Sequence, residues 1–163
     1  MAENSITNPS APRSPQHHAA LGLAAAGLRV FPVVVRSKVP LIKQWPERAT
    51  VDADAIDRWW SAWPDANVGV ATGRGLLVLD PDEKPGKPGG ATLAALEVDV
   101  GALPSTWTVR TGGGGRHLYF RADTTGVRNS IGRLGPGLDV LAEGGYVVAP
   151  PSTHESGGGY EVL

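Results

Sequence analysis

At 163 residues, with 41% hydrophobic and 19% charged residues, the chain is long enough to bury a core in one domain, which excludes disorder of the whole. No apolar run nears the roughly 20 residues of a membrane-spanning helix, and the N-terminus lacks the basic-then-apolar order of a secretory signal; a cytoplasmic location without a membrane partner is expected. The net charge of -1 supplies no bulk field for nucleic acid, and the absence of cysteine removes disulfides, thiolate nucleophiles and Cys-based zinc sites, leaving hard cations on oxygen ligands.

The chain opens with a Pro- and Ser-rich polar leader, residues 1–14, that has no apolar period and is expected to be disordered, ahead of a single domain over 15–163. Ser14 can cap, and Pro15 can begin, a helix through Ala26 with Gly27 as its stop, followed by a strand from Leu28 to Val35. The loop Arg36 to Thr50 carries Arg36, Lys38, Lys43 and Arg48 against the single acid Glu47. Asp52 then caps a helix in which Ile56, Trp59, Trp60 and Trp63 recur at i, i+3, i+4 and i+7, a core-facing stripe that needs no base-stacking role; Pro64 ends it.

The strand Asn67 to Thr72 and the strand Leu76 to Asp80 flank a turn at Gly73 to Gly75, which predicts a hairpin with acids at its far end. In an extended chain Asp80 and Asp82 share one face, so both carboxylates can converge on a divalent cation; a turn, a cap or a solvated edge would use the same residues. Pro81 cannot donate to a ladder and marks a strand end or edge. Lys84 to Gly90 reads as a flexible loop that places Lys84 and Lys87 beside the carboxylates, and Ala91 to Val98 as a short helix.

Further strands are expected at Thr106 to Arg110, Arg116 to Arg121, Leu138 to Val140 and, after a turn at Gly144 and Gly145, Tyr146 to Ala149. In RHLYFR, Leu118 and Phe120 point to a core face and His117, Tyr119 and Arg121 to a face that looks functional. The preceding TGGGG, Thr111 to Gly115, can bring backbone amides close to a phosphate, or can be a glycine-rich hairpin beside a surface histidine; no Lys-Ser or Lys-Thr pair follows, which excludes a P-loop. Five arginines between Arg110 and Arg133 face one acid, Asp123, as an anion surface or as scattered solvated charges. Asp139 alternates with Leu138 and Val140 and emerges on the opposite face from them. If these strands share a sheet, three acids and a histidine line one open face, a set suited to hard cations and a nucleoside triphosphate.

Ordered motifs carry a resemblance over about Ala19 to Val162: KVPL at Lys38 to Leu41, the Trp-rich helix with PDANVGVATG, LLVLDPD, TVRTGGGGRHLYF, GRLGPGLDV and GGYVVAPPSTH. The chain resembles the bifunctional DNA primase/polymerase N-terminal domain, a branch of the archaeo-eukaryotic primase superfamily. The resemblance implies an α+β fold in which a helix-strand module packs on an RRM-like, mostly antiparallel sheet with the active site between them. It implies that Asp80, Asp82 and Asp139 are catalytic acids holding Mg²⁺ or Mn²⁺, and that His117 contacts the phosphates of an incoming NTP or dNTP. Arg110, Arg116 and Lys38 are further phosphate or template ligands by the same analogy.

The implied function is metal-dependent nucleotidyl transfer, as DNA primase or DNA polymerase, on a DNA template and primer in replication of a plasmid, phage or integrated element. A helicase or a helical primase accessory domain is the implied protein partner, and the chain reads as a fragment, a truncated gene or a stand-alone core. The alternatives are a catalytically idle nucleotide- or DNA-binding module and, more remotely, a metal phosphohydrolase. Where the superfamily often has Ser-x-His, this chain has Gly115, Arg116 and His117, so the serine's contact is missing. A cysteine-based zinc stem cannot form either.

Overall fold

The computed structural model describes residues 12–163, so most of the expected disordered leader, residues 1–11, lies outside the described residues. Helix α1 (Pro15–Ala25) starts where predicted: the Ser14 hydroxyl accepts from the His17 amide at 3.2 Å, and the chain turns out at Gly27 with φ +84°. Strand β1 (Val30–Val33) follows, then the single-turn α2 (Trp45–Arg48) and α3 (Ala53–Ala62), which Asp52 caps by accepting from the Asp54 amide at 2.9 Å. Of the predicted stripe on α3, Ile56 and Trp60 are buried, with the Trp60 indole donating to the Ala66 carbonyl at 3.0 Å. Trp59 packs against the core from a half-buried position, whereas Trp63, past the last helical turn, is 38% exposed.

Strand β2 (Asn67–Ala71) is buried at every position and pairs antiparallel with β1. After it come β3 (Leu76–Pro81), the short strands β4 (Glu83–Lys84) and β5 (Lys87–Pro88), and α4 (Gly89–Val100). The remaining strands are β6 (Trp107–Arg110), β7 (Arg116–Arg121), β8 (Leu138–Leu141), β9 (Tyr146–Ala149) and β10 (Glu161–Val162). They form a three-stranded sheet in the order β1-β2-β9, a five-stranded sheet in the order β10-β6-β7-β3-β8, and the small β4-β5 hairpin, antiparallel throughout.

The predicted hairpin of β2 with β3 does not form, because the two strands belong to different sheets. Gly73, Arg74 and Gly75 all take positive φ, and Gly73 and Leu76 exchange both backbone hydrogen bonds, at 2.7 and 3.1 Å. The turn closes on itself, β3 leaves it for the five-stranded sheet, and β2 spends its free edge on β9 instead. The glycine turn at Gly144 and Gly145 does the same between β8 and β9. The segment Lys84 to Gly90, expected as a loop, contributes the β4-β5 hairpin and the first turn of α4.

Both faces of the five-stranded sheet are covered, which corrects the reading of RHLYFR as one core face and one open face. Leu77, Leu79, Leu118, Phe120, Leu138 and Val140 pack beneath Leu93 and Leu96 of α4. On the other face Val78, Val109 and Tyr119 join Phe31, Trp60 and Val68 in the larger core shared with the three-stranded module. His117 and Tyr119 are therefore buried, and of that trio only Arg121 is exposed, its guanidinium donating to the Ala26 carbonyl at 2.7 Å. Alternation marks two faces but cannot say whether the second meets water or another layer. Among the described residues, no helix is long and apolar enough to cross a membrane.

Candidate active site

Apolar residues drive β3 into the middle of the sheet until Asp80, and the ladder register then decides what lies beside that acid. Asp80 stands directly opposite Asp139 of β8. On its other flank Leu79 pairs with Leu118, so His117 falls next to Asp80, with His117 Nε2 3.7 Å from Asp80 Oδ2. Asp139, Asp80 and His117 thus form a row across three adjacent strands, on the face turned toward the three-stranded module. Asp139 Oδ1 accepts from the Gly132 amide at 2.8 Å, which fixes its carboxylate.

Asp82 lies just past β3. Its amide donates to the Gly137 carbonyl at 2.7 Å and its carbonyl accepts from the Gly89 amide at 3.0 Å, so the backbone is tied to both β8 and α4. Its carboxylate faces the β4-β5 hairpin, with Lys87 Nζ 3.0 Å from Oδ2 and Lys84 Nζ 3.5 Å from Oδ1. Burial pushes the Asp82 carboxyl up, but the bonds and charges of Lys87 and Lys84 outweigh it and hold it below the usual aspartate range. Lys87 is raised in turn, first by its bond to Asp82 and more weakly by the charges of Asp139 and Asp80. The acid that Lys87 pairs with directly is Asp82.

The donor chemistry of Asp80 and Asp139 fits a hard divalent cation: two carboxylates at paired positions, half-buried, with Asp139 pre-set by a backbone amide. Asp82 can complete a three-acid set only by giving up its lysines, and among the described residues no three His, Cys, Asp or Glu side chains are gathered to enclose a metal ion. His117 Nδ1 and the Tyr119 hydroxyl are buried without hydrogen-bond partners. Burial, then the neighbouring Tyr160 and Asp80, pushes the Tyr119 phenol up.

The other candidates lie apart from the acid row. Arg110 and Arg116 are paired with each other in the β6-β7 ladder, so the pleat turns both to the face opposite His117; both are exposed, and Arg110 forms an ion pair with Glu161 of β10. Lys38 is exposed beyond β1, where its carbonyl accepts from the Tyr146 hydroxyl. The cavity of about 380 Å³ lined by Leu23, Leu28, Trp107 and Phe120 is apolar and contains none of the acids.

Sequence reasoning missed a second glycine loop. Thr111 to Gly115 is covered by the segment from His154 to Gly159: the Ser156 hydroxyl donates to the Gly112 carbonyl at 2.9 Å, and a Cβ at Gly112 would collide with the Gly158 carbonyl and His154 Cβ. Tyr160 carries this loop to the site, its ring 6.2 Å from that of His117 and 6.0 Å from that of His154, and burial followed by the Asp80 charge pushes its phenol up to about 12. The available signal was STHESGGGY itself, a second glycine run with its own histidine.

A helix-bearing three-stranded module set against a five-stranded antiparallel sheet, with acids at paired strand ends between them, is a primase-like α+β fold. The chain belongs to the family described as bifunctional DNA primase/polymerase, N-terminal (Prim-Pol), whose family model matches residues 20–163. That membership gives it a role of the DNA primase/polymerase class. A comparison with the curated proteins finds no match.

Proposed function

We propose that the chain is a metal-dependent nucleotidyltransferase that extends, and starts, strands on a DNA template, in the replication of a plasmid, phage or integrated element in the cytoplasm. The observation that carries this reading is the row Asp139, Asp80, His117 across three adjacent strands. In the reaction, the 3′-hydroxyl oxygen of a primer forms a bond to the α-phosphorus of a dNTP or NTP. The bond from that phosphorus to the bridging oxygen of the β-phosphate breaks, pyrophosphate leaves, and the hydroxyl proton passes to solvent.

Asp80, Asp82 and Asp139 would hold Mg²⁺ or Mn²⁺, which when bound supplies Lewis acidity toward the hydroxyl and phosphate oxygens. His117 lies in a wall of buried aromatic rings, so its ring is fixed before substrate arrives and can orient a phosphate oxygen. Arg116 and Lys38, both exposed, suit the template and primer backbone, and Arg110 joins them once free of Glu161. A helicase or a helical accessory domain would supply unwinding and primer initiation.

The test is primer extension with template, labelled dNTPs and Mg²⁺ or Mn²⁺. Extension by the native chain that is lost in Asp80→Ala supports the proposal, and equal signal from both proteins sinks it. A second reading, an idle nucleotide- or DNA-binding module, is favoured by the engagement of Asp82 with two lysines. Calorimetric binding of dNTP without polymer product, across both metals and primed templates, would select it.

A further inference from the structure

The β4-β5 hairpin places two ammonium groups against the single carboxylate of Asp82. Lys84 and Lys87 are direct partners across the hairpin, and like charges at such positions repel. The arrangement is reconciled by an anion that both can reach, and each takes a different oxygen of Asp82. The hairpin is firmly rooted: at its base the Gly89 amide donates to the Asp82 carbonyl and the Asp82 amide to the Gly137 carbonyl, and a Cβ at Gly89 would collide with the Gly137 carbonyl. Its tip turns at Gly86 with φ +80°, and the lysine side chains are 59% and 51% exposed while that of Asp82 is 18% exposed. Two exposed ammonium groups on a rooted arm therefore lie against a mostly buried carboxylate.

A divalent cation and two ammonium groups compete for that carboxylate, since the cation repels both lysines and draws on the oxygens they contact. Resting on the nucleotidyltransferase reading above, we propose that Lys84 and Lys87 compete with the divalent cation for Asp82 and, displaced by it, bind the polyphosphate of the incoming nucleoside triphosphate. The triphosphate is the anion that arrives beside the same cation, and the four-carbon lysine stem lets each ammonium swing from carboxylate to phosphate without moving the hairpin. The hairpin thereby makes nucleotide binding depend on prior cation binding, because until Asp82 is taken the lysines are occupied.

The experiment uses the full chain, the double variant K84M/K87M, the charge-conserving K84R/K87R, and K43M as a control that removes one positive charge from the β1-α2 loop. Affinity for Mn²⁺ alone is read from the electron paramagnetic resonance signal of the free ion, and affinity for dATP by calorimetry at saturating Mg²⁺. Two half-exposed ion pairs, each worth a factor of roughly 1.5 to 5, predict Mn²⁺ binding about 2- to 25-fold tighter in K84M/K87M. The same variant should bind dATP at least about fivefold more weakly. K84R/K87R and K43M should stay within about twofold of the native chain in both measurements. Unchanged or weaker Mn²⁺ binding in K84M/K87M, or a shift of equal size in K43M, would overturn the competition. Tighter Mn²⁺ binding with unchanged dATP binding would overturn the phosphate role. If no protein bound Mn²⁺ at all, the metal-dependent reading would fall together with the exchange built on it, whereas the other negative results leave that reading standing.

Discussion

Replacing Asp139 with asparagine should make the protein more stable and inactive at once. Asp139 and Asp80 occupy directly opposed positions in the β3-β8 ladder, where Cβ atoms lie about 4.5 to 5.5 Å apart. Two unit charges 6 Å apart repel by about 0.7 kcal/mol at the dielectric constant of water, and by roughly four times that at an effective value near 20. Lys87 lies within range of both acids and offsets part of this, as does solvent at the half-buried carboxylates, so the gain from Asp139→Asn is set at about 0.5 to 1 kcal/mol. Asparagine keeps the oxygen that accepts from the Gly132 amide, so no hydrogen bond is lost. The assay is thermal unfolding at low salt and neutral pH, where the variant should melt about 1 to 4 °C higher, with the difference shrinking in 1 M salt. Added Mg²⁺ should raise the melting temperature of the native chain and leave the variant unmoved. A variant that melts below the native chain would refute the repulsion, and equal Mg²⁺ stabilisation of both proteins would remove Asp139 from the cation site.

Other expectations concern the frame that holds the row. Trp60→Ala, which empties a fully buried site and removes the indole donor to Ala66, should cost about 3 to 5 kcal/mol in urea denaturation; a loss under about 1 would mean the two modules do not depend on α3. Gly112→Ala should force the two glycine loops apart, costing roughly 1 to 3 kcal/mol and speeding hydrogen exchange at the His154 amide, which donates to Gly158 at 2.8 Å; unchanged exchange would disprove the packing. Burial pushes the Asp57 carboxyl up, but hydrogen bonds from His17 and Arg13 outweigh it and hold it below its unfolded value. Its contribution is therefore complete above the unfolded aspartate value of about 3.9 and fades as pH falls through the lower folded value. Asp57→Asn should cost less than about 1 kcal/mol at pH 7 and progressively less as the pH falls below the unfolded aspartate value, as measured by urea titrations, and a deficit that grew toward acid would reverse the assignment.

Local signals carried much of this protein without any contact being known. Ser14 with Pro15, and Asp52 ahead of the Ile56 and Trp60 spacing, specify helix starts because capping is a property of neighbours in the chain. Strand positions were legible from β-branched runs, and the ordered motifs around Asp80, His117 and Asp139 were enough to indicate the Prim-Pol family that the chain belongs to. Partnership between strands was not legible. The turn at Gly73 read as a hairpin and that at Gly144 as a simple turn between strands, yet each passes the chain from one sheet to the other, because the choice depends on which edge is free when β9 docks on β2. Burial of His117 likewise follows from a second layer that period-two alternation cannot reveal. The sequence alone determined which side chains are available for the chemistry. Register decided the rest: pairing placed Asp80 against Asp139 and beside His117, and turned Asp82 to Lys84 and Lys87, since those distances are set by ladders joining residues far apart in the chain.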